Sequence, residues 1–99
     1  MTTRQEQIMI HLFGQMTKGN GYEMPYQTTQ DGIAEAIGIS RGQVSIEMRR
    51  LEAKGLVTHL QRHACSERLR SRANRMCYRL EAQGVLTVQE LMNAIEEVA

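Results

Sequence analysis

The 99-residue sequence predicts an α+β domain, mainly α with one small β-hairpin, in the order helix, short strand, helix, helix, hairpin, helix. Three observations predict it. At four places a Ser or Thr followed three residues later by Glu, Asp or Gln stands ahead of an apolar pattern of helical period. Between the third and fourth of these patterns the period shortens to two, which is the mark of strand. The length suits one domain, 1–99, and 41% apolar with 23% charged residues is the composition of an ordinary globule.

The first helix is expected over 3–18. Thr3 and Glu6 form the start signal, Ile8, Met9, Leu12, Phe13 and Met16 the apolar rows, and Lys18-Gly19-Asn20-Gly21 the end. Tyr22 to Gln27 holds the only Pro and two of the three Tyr, which suits an extended segment or short edge strand. The second helix starts at Thr28 with Asp31 three residues on, carries Ile33, Ala34 and Ile37, and stops at Gly38. The third starts at Ser40 with Gln43, carries Val44, Met48 and Leu51, and stops at Lys54-Gly55. Val57 to Arg62 and Met76 to Glu81 then alternate as strands, joined by a polar link from His63 to Asn74 that is too long for a tight turn. The fourth helix is expected over 87–98, with Thr87 and Glu90 as its start and Val88, Leu91, Met92, Ile95 and Val98 as its apolar seam.

The net charge of +1 conceals a sharp segregation. Residues 1–40 hold two bases and four acids, residues 41–79 ten bases and three acids, and residues 80–99 four acids and no base. A middle third this cationic is how a surface for a polyanion is built.

Thr28 to Leu51 carries the densest signal. Two helices crossing closely need a small residue at the contact, a Gly to reverse the chain and apolar residues at fixed steps. Ala34, Gly38 and the set Ile33, Ile37, Ile39, Val44 and Met48 meet those needs. The string Gln30-Asp31-Gly32-Ile33-Ala34-Glu35-Ala36-Ile37-Gly38-Ile39-Ser40, followed by Val44-Ser45, resembles the prokaryotic and archaeal helix-turn-helix. Leu51-Glu52-Ala53-Lys54-Gly55-Leu56-Val57 looks like the entry to a first wing strand, and Cys77-Tyr78-Arg79-Leu80-Glu81-Ala82-Gln83-Gly84 like the exit of a second. From about Tyr22 to Gly84 the chain thus resembles MarR-like winged helix-turn-helix transcriptional regulators. It departs from them at the hairpin tip, where Glu67 beside Arg68 stands in for the usual Asp and Arg, at Glu81 in place of a common Thr, and in its shorter terminal helices.

The resemblance implies a helix-turn-helix over 28–54, a wing over 56–81 and sequence-specific binding of double-stranded DNA. At 100° per residue, Val44, Met48 and Leu51 of the third helix share one side. The opposite arc holds Gly42, Gln43, Ser45, Ile46, Arg49, Arg50 and Ala53. Arg forks onto guanine, Gln onto adenine, and an Ile meets a thymine methyl. Ser40, Arg41, Gln43, Ser45, Ile46, Arg49 and Arg50 are therefore the expected reading surface. Arg62, Arg68, Arg70, Arg72 and Arg75 would lie along phosphates or in the minor groove, and the helix starts at Thr28, Thr29 and Ser40 are natural phosphate sites. Related regulators dimerise through flanking helices, so Ile8, Leu12, Val88, Leu91, Met92, Ile95 and Val98 are expected at a homodimer interface. Surface pairing of Glu47 with Arg50 or Lys54, and of Glu52 with Arg49, is expected within the third helix.

Other readings carry less weight. The alternative function is a winged-helix module for protein–protein interaction or assembly. His59, His63, Cys65 and Cys77 are zinc-type donors without zinc-type spacing, so no metal is expected, and a redox pair of Cys65 with Cys77 is a minor alternative. No phosphate loop, serine elbow or metalloprotease motif occurs, so neither an enzyme nor a cofactor is expected, and nothing names a small-molecule effector. No apolar run reaches bilayer length, and Met1 to Glu6 lacks a leader's profile, which sets a cytoplasmic, membrane-free expectation.

Overall fold

Thr3 starts α1 (Arg4–Gln15) by the expected reciprocal cap: its hydroxyl accepts from the Glu6 amide at 3.2 Å, and the Glu6 carboxylate accepts from the Thr3 amide at 2.8 Å. Those bonds from Thr3 to the charged form hold the Glu6 carboxyl below its ordinary range. The computed structural model describes residues 3–16, 23–65 and 74–98, and side chains over 3–16, 24–61 and 75–97. The remaining elements are β1 (Glu23–Pro25), a 3-10 turn (Tyr26–Thr28), α2 (Gln30–Ile37), α3 (Arg41–Ala53), β2 (Val57–Cys65), β3 (Asn74–Leu80) and α4 (Ala82–Val98). Residues 17 and 18 at the expected end of the first helix, and Arg68, Arg70 and Arg72 in the hairpin link, lie outside the described residues, as do the side chains of Arg62, His63, Cys65 and Val98.

The cap of α2 differs by one residue from the expectation. Thr29 is the cap, with its hydroxyl accepting from the Gly32 amide at 3.1 Å and donating to the Tyr26 carbonyl at 2.6 Å. Thr28 instead closes the 3-10 turn, donating to the Pro25 carbonyl at 2.7 Å. The His11 ring on α1 donates to the Gln27 carbonyl at 2.8 Å and fastens that turn to the first helix. Gly38 ends α2 at φ +79°, a left-handed conformation that side chains disfavour, and so turns the chain towards α3. Ser40 caps α3 with the full reciprocal pair to Gln43, both bonds at 3.2 Å.

The three strands run in the order β1-β2-β3. β2 and β3 pair antiparallel from Val57↔Leu80 to His63↔Asn74, so the hairpin is longer than expected and its link shorter. β1 pairs parallel with the far end of β2, from Glu23↔His63 to Pro25↔Cys65. The hairpin's near end and the four helices enclose the core. Ile8, Leu12, Ile33, Val44, Leu51 and Val88 are at most 2% exposed, and each such side chain contributes roughly 1.5–3 kcal/mol of burial. Met9 and Met48 fill gaps between them, whereas Met16 and Met92 lie outside the core at 49% and 39% exposure.

α4 begins five residues before its expected start. Thr87 is not a cap: it sits inside the helix and donates to the Gln83 carbonyl at 2.8 Å. The entry to α4 is held instead by the Glu81 amide, which donates to the Leu56 carbonyl at 2.9 Å. Gly84 crosses that carbonyl so closely that a Cβ there has no room. α1 packs against α4, β3, α2 and α3, while the last turns of α4 run on with Ile95 half exposed. No helix among the described residues is long and apolar enough to cross a membrane.

Candidate nucleic-acid interface

The second helix of the α2–α3 pair has a sealed back and an open front. Val44, Met48 and Leu51 are at 0%, 1% and 0% exposure, as the 3.6-residue period requires. Gly42, Gln43, Arg49, Arg50 and Ala53 are exposed, Ile46 is 50% exposed, and Ser45 is half-buried at the margin. The residues expected to read DNA are thus exposed, apart from the half-buried Ser45.

Their side chains are not equally available. Arg41 donates through Nε to Asp31 Oδ1 at 2.8 Å, tying the first turn of α3 to that of α2. Arg50 donates through Nη1 to Glu47 Oε1 at 2.9 Å, the pairing expected from sequence. Lys54 reaches Gln5 Oε1 at 2.9 Å rather than Glu47. Gln43 has its carboxamide oxygen engaged by the Ser40 amide. Glu52 does not pair with Arg49; it accepts from His59 Nδ1 on β2 at 2.7 Å.

That last contact belongs to a network absent from the sequence reading. His59 stands edge-on to Tyr78, its partner across the hairpin, with ring centroids 6.5 Å apart. The Tyr78 hydroxyl accepts from Gln30 Nε2 at 3.2 Å. Burial pushes the Tyr78 phenol above its ordinary value. These groups, with Ser45, Met48, Arg49 and Met76, line a cavity of about 190 Å³ between α3 and the hairpin. A second cleft of about 270 Å³ lies between Thr29, Gln30, Asp31, Arg41, Arg75 and Met76. The pairing of Gln30 with Tyr78 and of Glu52 with His59 left no sequence signal, because the partners stand 48 and 7 residues apart.

Arg75 lies on β3; it is half-buried, and its Nε has no hydrogen-bond partner among the described residues. Thr28 and Thr29 are 2% and 4% exposed with hydroxyls bound internally, so neither side chain is open to a phosphate. Ile8, Leu12 and Val88 are closed inside the protomer's own core and have no surface to give a partner. Leu91 is half-buried, and Met92 and Ile95 are exposed.

Among the described residues no cluster of His, Cys, Asp or Glu is placed to hold a metal. The Cys77 thiol is fully buried and donates to the Arg75 carbonyl at 3.6 Å. Cys77 pairs with Leu60 while Cys65 is five residues further along β2, about 17 Å away at 3.3 Å per residue. A Cys65–Cys77 disulfide, which needs Cα atoms within about 7 Å, does not fit this hairpin.

Solved structures share this arrangement. Staphylococcus aureus MepR, a transcription regulator of the multidrug efflux pump MepA, matches with a TM-score of 0.72 at 21% identity, over 99% of this chain and 60% of that one. MepR in complex with DNA matches at 0.70 and 21% identity, over 99% and 67%. The fold is a MarR-like winged helix. MepR bound to ethidium bromide matches equally, at 0.70 and 22%, over 99% and 59%. The winged helix described here thus spans about three fifths of the length of most of the MepR chains it matches. No family model and no curated protein matches the sequence.

Proposed function

We propose that this chain is a sequence-specific, double-stranded-DNA-binding transcriptional regulator. It comprises one winged-helix domain, with a helix-turn-helix over 28–54 and a wing over 56–81. α3 enters the major groove, and the hairpin arginines Arg62, Arg68, Arg70, Arg72 and Arg75 lie along the backbone or the minor groove. The observation that carries this reading is the outer face of α3. It presents Arg49, Arg50, Ile46 and Gly42 to solvent above a fully sealed back, in the segment holding ten of the chain's twelve bases. The same fold is seen in a MepR–DNA complex. The chemistry is that of binding and not of catalysis.

A gel shift on random duplex at low salt tests the first half. Retardation at micromolar protein is expected; its absence would leave the rival reading of a protein-interaction module. Replacing Arg70 and Arg72 by Ala is expected to weaken all duplexes alike and to reduce the log–log salt slope by about 0.9 for each phosphate contact removed.

The functional unit is a homodimer joined through the outer half of α4, where Leu91, Met92 and Ile95 continue the helix's apolar seam past the body of the domain. Two-fold symmetry would let two α3 helices meet successive major grooves. Sedimentation of the wild type against a Met92→Asp/Ile95→Asp double variant measures this. A wild-type dimer that falls to monomer is expected, and two identical profiles would remove the dimer from the scheme.

A further inference from the structure

Three arginines of α3 face outward, and the structure divides their work. Arg41 is held by Asp31 at 2.8 Å, and Arg50 by Glu47 at 2.9 Å. The Glu47 side chain is only 14% exposed, so the Arg50 pair is partly shielded from competing water. Arg49 is exposed and has no ion pair among the described residues. Its natural partner one turn on, Glu52, is already taken by His59 at 2.7 Å. An arginine that must fork onto a base has to bring both terminal nitrogens to it, and only Arg49 does so without first breaking a carboxylate contact.

Ile46 precedes Arg49 by three residues. It is 50% exposed, and among the described residues the other large exposed apolar ones lie elsewhere: Met16 just past the end of α1, and Leu86, Met92 and Ile95 on α4. Side chains three apart on a helix have Cβ atoms about 5–6 Å apart. Stacked base pairs rise about 3.4 Å. Contacts from Ile46 and Arg49 therefore fall on base pairs one or two steps apart.

Resting on the DNA-binding reading above, we infer that Arg49 and Ile46, and not Arg50, read bases. The bound half-site then carries a guanine for Arg49 within two steps of a thymine whose methyl group packs on Ile46. Arg50 stays with Glu47 and leaves base preference unaltered.

The test selects duplexes from a random pool with the wild type, R49A, R50A and I46A, then measures affinity for the selected duplex with that thymine replaced by deoxyuridine. The wild-type and R50A pools are expected to share a guanine near a thymine. The R49A pool is expected to lose the guanine, with discrimination there down roughly tenfold. Removing the thymine methyl is expected to weaken the wild type about fourfold, the value of one buried methyl, and to leave I46A unchanged. A guanine lost with R50A but kept with R49A overturns the assignment, as does a wild type indifferent to deoxyuridine. A chain that binds duplex DNA but enriches no sequence sinks this inference alone. One that binds no duplex sinks the regulator reading with it.

Discussion

Replacing Gly84 by Ala puts a methyl group where the backbone of another element already stands. The added Cβ would overlap the Leu56 carbonyl oxygen, with the Leu56 carbonyl carbon and Leu80 Cδ2 each at 3.1 Å. The Leu56 oxygen cannot simply retreat, because it accepts the Glu81 amide that fixes the entry to α4. Relieving the overlap means sliding α4 off the α3–β2 junction. Overpacking of this kind costs about 1–3 kcal/mol, and stretching the hydrogen bond adds about 1 kcal/mol. Better helix propensity returns up to about 1 kcal/mol. The net loss of about 1–3 kcal/mol corresponds to a melting temperature lower by roughly 5–20 °C in a domain of this size. Gly14 supplies the control: nothing lies within 4 Å of its Cβ position in α1, so Gly14→Ala is expected to raise stability by about 0.5–1 kcal/mol. Thermal unfolding followed by circular dichroism reads both. A G84A melting temperature at or above that of the wild type would refute the reasoning, as would both variants moving the same way.

Ser40→Ala removes the hydroxyl that accepts from the Gln43 amide and leaves the Ser40 amide's bond to Gln43 Oε1 possible; a loss of about 1 kcal/mol in urea unfolding is expected, and an unchanged midpoint would deny the hydroxyl any part in stability. Burial raises the Tyr78 phenol in the folded state, so the native form keeps its proton longer than the unfolded chain. The stability this provides is complete below about pH 10 and is lost as pH rises through the folded value. Above pH 10 the wild type is therefore expected to lose melting temperature more steeply than Tyr78→Phe; parallel curves would remove burial as the cause.

The caps at Thr3 and Ser40 were legible because a reciprocal cap is written within four residues. Thr28 misled because Asp31 completes its pattern, whereas the true cap, Thr29, faces Gly32, which has no side chain to answer with. Thr87 misled in the same way: a cap motif inside a helix looks like a beginning. The real beginning depends on Gly84 meeting Leu56, and that contact between distant residues leaves no local trace. The open face of α3 followed from period alone, since Val44, Met48 and Leu51 fix which side is inward. Which of its arginines is tied down did not follow fully. Glu47–Arg50 is a helix neighbour and was expected, but the tie of Glu52 to His59 depends on where β2 returns. The parallel pairing of β1 likewise depends on how the hairpin folds back beside the second segment.

That pairing has a mechanical consequence. Because β1 binds the far stem of the hairpin at His63 to Cys65, and α2 begins five residues after β1 ends, the stem is not a free arm. The β1–β2 bonds join the stem through Pro25 and the following turn to Thr29, at the head of α2. Swinging the stem away from the first helix of the pair would therefore mean breaking the β1–β2 bonds or carrying that helix along.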